Sequence, residues 1–291
     1  LDGLGRTADL VLTSMGPAGQ RAAGRGAEEL LAADPGLVFA AVYPYWLTGP
    51  WADAPATDLT VLAAGGFLNL AGDDYGTLVR PYGDQSVFNA GLHAWVAALA
   101  GLESRRRSGR GLVVDVSAQQ AVAHSLENAV QFYDLEQTVR GPRGSSPVEA
   151  GTGLYRCRDG SVYMVAGMGG AVLGWPRLVK WLKARAGEAA ADLDAPEWLE
   201  AEYRSSRAGV ARFGAVFDAF ARTRTRDELY ADGQSFGVSI APLLAPAELT
   251  GNVQLRSRSF FTSGRTPGGL TVSVPGPAVR AEAAQAAGPA G

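Results

Sequence analysis

The chain has 291 residues, 47% of them apolar, enough to bury the core of one large domain or two modest ones. With 26 basic against 29 acidic residues the net charge is −3, so no broad basic face is available for a phosphate backbone, and nucleic acid is not an expected partner. Cys157 is the only cysteine, which excludes an internal disulfide and any cysteine-based zinc site and points to a reducing, cytoplasmic setting; no apolar run reaches the roughly eighteen residues of a membrane span.

In chain order, Ala8 to Leu12 predicts a short buried strand, and Ala27 to Ala33 predicts a helix stopped by the turn signal Asp34-Pro35-Gly36. Leu37 to Tyr43 reads as the next buried strand. Strand and helix alternate as in a parallel α/β sheet, and two strands make only half of a doubly wound one. A strand or two would therefore precede Leu1. With the patternless Ala, Gly and Pro tail 284–291, this reads as a piece of a longer chain.

Leu59 to Leu70 predicts a helix whose Gly65-Gly66 pair permits close approach of another backbone. Phe88, Leu92, Trp95, Val96, Leu99 and Leu102 recur at three- and four-residue spacing, the pattern of a helix with those residues on its buried face. Ser108-Gly109-Arg110-Gly111 breaks it, and Arg105, Arg106 and Arg107 suit the negative end of its dipole. Val113 to Val116 is the next strand, and Ala118 to Tyr133 a second long helix.

A long loop from Gly141 to Gly153 separates this half from the second. Leu154–Arg158 and Ser161–Ala166 flank Asp159-Gly160, a hairpin signal. Helices are expected from Trp175 and over Phe213 to Ala231, then strands at Val238 to Leu244 and Leu270 to Val274 that return to the first half. The expected fold class is α/β: a large domain over 1–150, incomplete at its start, a small inserted α+β domain over 151–228, and a return to the large domain with a tail over 229–291.

Several segments, in order, carry a family resemblance: Ala8-Asp9, Asp34-Pro35-Gly36-Leu37-Val38, Thr48-Gly49-Pro50-Trp51-Ala52 with Asp58 behind it, and Ala90-Gly91-Leu92-His93-Ala94. Arg107-Ser108-Gly109-Arg110-Gly111 leading to Val114-Asp115-Val116-Ser117, Asp159-Gly160, Gly237-Val238 with Ala241-Pro242, and Pro275-Gly276-Pro277 complete the set. Together they resemble CoA-transferase family III, the CaiB/BaiF type that also contains formyl-CoA transferase and methylacyl-CoA racemase. The resemblance implies a Rossmann-like large domain, a linked small domain, two interlocked subunits, and transfer of CoA from an acyl-CoA to a carboxylic acid. Coenzyme A enters as a thioester substrate, and no permanently bound cofactor or metal is implied.

In this family an aspartate attacks the thioester, passes through a mixed anhydride, and holds CoA as an aspartyl thioester before handing it to the acceptor. The resemblance puts that aspartate four residues before Gly91, where this chain has Val87. The chemistry is then lost, supplied by a partner chain, or taken over by another carboxylate. Asp84 is the candidate, one helical turn earlier, and it competes with a plain role as helix N-cap.

Further roles come from the same resemblance. Arg21 and Arg25 are the cations available for CoA phosphates after the first strand, with Gly49 and Asp58 in the same binding region, while Gly16 replaces a usual arginine. Gly144 to Gly153, with Gly151 and Gly153, stands where relatives carry a glycine-rich flap. Thr57 replaces the histidine of the racemase branch, arguing against racemisation. His93 and His124 read as packed core residues, Cys157 as inert, and Gly167-Met168-Gly169-Gly170 as a turn; no G-x-S-x-G elbow supports a serine triad. The readings left standing are an active or degenerate acyl-CoA:carboxylate CoA-transferase, a non-catalytic subunit that dimerises with an aspartate-bearing paralogue, and an inactive remnant. The chain is expected as a homodimer or as a heterodimer with the paralogue.

Overall fold

A computed structural model describes residues 7–72, 77–126, 128–142, 147–166 and 174–280. The chain divides into two compact units, 1–146 and 147–291.

In the first unit, strand β1 (Leu10–Thr13) is followed by helices α1 (Pro17–Ala23) and α2 (Ala27–Ala33), then β2 (Val38–Tyr43). Helices α3 (Asp58–Ala64), α4 (Phe67–Leu70) and the long α5 (Gln85–Ser108) lead to β3 (Leu112–Ser117), and α6 (Ala118–His124) and α7 (Ala129–Glu136) close the unit. The three strands run parallel in the order β1-β2-β3, with Leu10 opposite Val38 and Val38 opposite Leu112. Leu37 and residues 38–41 of the central strand β2 are almost wholly buried, which explains why they read as an unbroken apolar run.

Two expected helices are each divided, the first of them by glycine. Residues 59–70 divide into α3 and α4 because Gly66 adopts a φ of 85°, and a Cβ at Gly65 would stand 2.5 Å from Val122 Cγ1 on α6. Residues 118–133, which contain no glycine, divide into α6 and α7, with Ser125 at the C-cap of the first and Asn128 at the N-cap of the second.

Helix α5 overturns the expected burial. Its buried face is Ser86, Ala90, Ala94, Ala98 and Gly101, against β2 and β3, while Phe88, Leu92, Trp95, Val96 and Leu99 are exposed. A Cβ at Gly101 would meet Val38 Cγ1 at 3.1 Å, so the helix lies too close to the sheet for large side chains. The large residues keep their helical spacing but occupy the opposite side. Gly109, at a φ of 72°, ends α5 as expected, its N–H donating to Arg105 O at 2.8 Å. Arg105 in that last turn pairs with Asp9 at 2.5 Å.

The second unit contains β4 (Thr152–Cys157), β5 (Gly160–Val165), α8 (Gly174–Ala186), α9 (Ala201–Ser205), α10 (Arg207–Ala221), α11 (Arg226–Ser235), β6 (Ser239–Pro242), α12 (Val253–Ser257), β7 (Phe261–Arg265) and β8 (Thr271–Pro275). The expected hairpin is present, Cys157 opposite Gly160, and Asp159 Oδ1 accepts from Arg226 N at 2.8 Å. The expected helix over 213–231 is broken before Thr225, which opens α11 with a capping box to Glu228.

The strand expected at 238–244 does not return to the first sheet. It pairs antiparallel with β5 as β6, because Val238 and Ile240 are buried in a core built from Trp181, Trp198, Phe213 and Phe217. The strand expected at 270–274 forms a separate hairpin, β8 against β7.

Candidate functional site

The first unit holds a cavity of about 540 Å³ beside the ends of β1 and β2, the start of α3 and the first half of α5. Ligands of parallel α/β sheets bind outside the carboxyl ends of the strands, where this cavity lies. Its polar lining includes Thr13, Ser14, Thr57 and Asp58; its apolar lining includes Val61, Val87, Ala90 and Ala94.

Three local features shape it. Thr57 caps α3 reciprocally with Thr60, which fixes Asp58 at the first helical position. Asp58, with a side chain only 8% exposed, reaches to the start of α5, where its Oδ1 accepts from both the N–H and the hydroxyl of Ser86 at 2.8 Å. Its Oδ2 is buried without a hydrogen bond, and Arg80 Nη2 lies 3.7 Å away. The first turn of α5 is thus anchored by a carboxylate from another helix.

Asp84 stands at the N-cap position, yet its side chain makes no capping hydrogen bond. It is 69% exposed and pairs with Arg80 at 3.6 Å. Of the two carboxylates at the start of α5, one therefore faces solvent and the other is committed to Ser86. Val87 lines the cavity and offers no nucleophilic atom.

The remaining expected residues are dispersed. Arg21, on α1, donates to Asp53 at 2.6 Å, and Asp53 also accepts from Ala18 N at 2.8 Å. The Arg21 hydrogen bond first, and the Ala18 N–H second, hold the Asp53 carboxyl below the usual range. Arg25 follows the end of α1. Gly49 lies in an exposed loop at a φ of 102°, beside the edge-on pair Tyr45 and Trp51.

Gly151 and Gly153 belong to the second unit and are buried at the start of β4, where a Cβ on Gly153 would lie 2.8 Å from Pro147 Cα. Gly151 O accepts from Ala166 N at 2.9 Å. Gly144 and the 167–170 segment lie outside the described residues. Cys157 is half-buried, and burial pushes its thiol up. The two histidines, expected as separate packed residues, stand against each other across α5 and α6.

Two contributors escape a reading of the sequence. Ser86 has no chemical signature on its own, and only the three-dimensional pairing with Asp58 reveals it. Asp115, within β3, accepts from Leu47 N at 3.1 Å and so ties down the loop carrying Gly49; burial raises its carboxyl above the usual range. An aspartate inside an apolar strand is the signal that could have found it.

The profile of CoA-transferase family III matches residues 1–290. The chain belongs to this family. Subunit BbsE of succinyl-CoA:(R)-benzylsuccinate CoA-transferase from Thauera aromatica is 38% identical over 255 residues, 87% of this chain and 62% of that relative. Succinyl-CoA–D-citramalate CoA-transferase of Chloroflexus aurantiacus is 31% identical over 160 residues, 54% of this chain and 39% of the relative. The crystal structure of a CaiB/BaiF family protein from Brucella suis shares the fold, with a TM-score of 0.73 at 22% identity over 92% of this chain and 68% of that one. The chain thus spans less than two thirds of the length of the first two relatives. Among the described residues no helix is long and apolar enough to cross a membrane, and no cluster of three or more metal-ligating side chains occurs.

Proposed function

We propose that this chain is the nucleophile-free subunit of a heteromeric acyl-CoA:carboxylate CoA-transferase, working with a paralogous chain that carries the reacting aspartate. The observation that carries this reading is Val87: it lines the cavity at the position the family gives to the nucleophile, while Asp84 faces solvent and Asp58 is held by Ser86. The exposed row Phe88, Leu92, Trp95, Val96 and Leu99 supports a subunit role, since so large a run of apolar side chains on one helix face suits a protein partner. The named relative BbsE is itself one subunit of a transferase acting on succinyl-CoA.

In such an assembly the partner's aspartate attacks the thioester carbonyl and expels CoA thiolate, leaving a mixed anhydride. The thiolate then attacks the aspartyl carbonyl and releases the donor acid. The acceptor carboxylate reverses both steps and departs as its CoA thioester, so one thioester is consumed for each one formed. Coenzyme A is substrate here and not a resident cofactor. Arg21 and Arg25 are the cations proposed for its phosphates, and a phosphate has to displace Asp53 from Arg21.

The test is incubation with succinyl-CoA followed by hydroxylamine and peptide mass spectrometry, on the chain alone and co-expressed with an aspartate-bearing paralogue. Modification is expected on the paralogue alone. A modified peptide of this chain containing Asp84 or Asp58 would overturn the reading.

A further inference from the structure

We infer that His93 and His124 form a two-histidine site for a late first-row divalent ion, zinc or copper, that staples α5 to α6. They are the chain's two histidines, they come from different helices, and nothing in the transferase reading uses them. His93 Nε2 and His124 Nδ1 stand 3.4 Å apart, with ring planes at 88° and centroids 5.3 Å apart.

The hydrogen bonding of His93 prepares it as a ligand. Its Nδ1 lies 2.9 Å from the carbonyl oxygen of Asn89. A carbonyl only accepts, so Nδ1 carries the proton and the neutral ring keeps its lone pair on Nε2, the atom facing His124. A ring nitrogen donating to a backbone carbonyl while the other meets the metal is the usual support for a ligating histidine.

The spacing fits an ion better than a direct bond. Hydrogen bonds from ring nitrogens run about 2.7–3.2 Å, so 3.4 Å is long for one. Two nitrogens each about 2.0–2.1 Å from a tetrahedral zinc ion are separated by roughly 3.3 Å. Among the described residues no third His, Cys, Asp or Glu completes a cluster, so water fills the other positions. His93 is half-buried and His124 exposed, which leaves an entry path. With two imidazoles and water as ligands, copper(II) binds more tightly than zinc.

The probes are the ions alone, added to the purified chain at neutral pH. The electron paramagnetic resonance spectrum at one equivalent of copper(II) is expected to show coupling to two imidazole nitrogens. His93→Gln and His124→Gln should each weaken zinc binding by at least about tenfold by titration calorimetry. Zinc should also raise the melting temperature of the unaltered chain and not that of the double variant. Coupling to one nitrogen or none overturns the site, as does zinc affinity unchanged in both variants. The copper spectrum of the unaltered chain decides the matter even if a variant fails to fold.

Discussion

The Asp58 carboxylate, launched from the first residue of α3, holds both the backbone N–H and the hydroxyl of Ser86 at 2.8 Å, one residue before Val87. The residue that the sequence places nearest that helix start, Asp84, makes no such bond. A helix terminus needs its free N–H groups satisfied, and here the donor at the second helical position is served from 28 residues away.

Asp58→Ala leaves the N–H and the hydroxyl of Ser86 without their acceptor in a buried setting and should destabilise the chain by about 1–3 kcal/mol. Asp84→Ala removes an exposed, distant ion pair and should change stability by no more than about 0.5 kcal/mol. Urea unfolding of the two variants, followed by circular dichroism, distinguishes them. Equal losses would show that Asp84 caps the helix in solution.

How much of the fold is legible in the sequence depends on the range of each interaction. The strands at Leu10–Thr13 and Val38–Tyr43, the glycine end of α5 and the Asp159-Gly160 hairpin rest on local chemistry and can be read directly. The family landmarks carry position 87 to the cleft. The buried side of α5 is hidden because large apolar residues at helical spacing look like a core face, whereas contact with the sheet requires the Ala90, Ala94, Ala98 and Gly101 row. The destination of Val238 and Ile240 depends on which aromatic core they enter, and Asp58 on a bond to Ser86, neither of which spacing along the chain encodes.

Catalysis by the proposed assembly should be indifferent to this chain's exposed carboxylate. Asp84→Ala is expected to leave turnover of succinyl-CoA within about twofold, while alanine at the paralogue's reacting aspartate should cost roughly 10⁴ or more, the scale of a lost nucleophile. Steady-state CoA transfer to a panel of carboxylic acids reads both. A large loss from Asp84→Ala alone would return the nucleophile to this chain.

Leu92 is 69% exposed on the outer face of α5, so Leu92→Glu should leave folding within about 0.5 kcal/mol of the starting chain. The same charge buried against a partner has no counter-ion and should weaken association by about tenfold or more. Light scattering after size exclusion, with circular dichroism as the folding control, separates the two effects. Assembly unchanged by this charge would mean that the face meets no partner.

The second unit carries an acid-sensitive clamp. Hydrogen bonds from Arg226 first, and from Ala245 N second, pull the Glu248 carboxyl down from 4.5 to about 2. A depressed carboxyl stabilises the fold above its unfolded value and loses that contribution as pH falls toward its folded one. Between about pH 4.5 and 2, therefore, the native chain should lose stability more steeply than Glu248→Gln, which has no proton to take up. Denaturant midpoints measured across that window give the slope of each; identical slopes would remove Glu248 from the acid response.

Because α5 keeps its alanine and glycine row on one side and its aromatic and leucine row on the other, damage to this single helix comes in two kinds. Added bulk at Ala94 or Gly101 forces the helix off the strands and yields misfolded material that no excess of a second subunit restores. In the proposed assembly, added polarity at Leu92 or Trp95 yields an intact but solitary chain, which a surplus of the proposed companion recovers by mass action. Complementation under overexpression of that companion would therefore sort variants along α5 by the direction each residue faces.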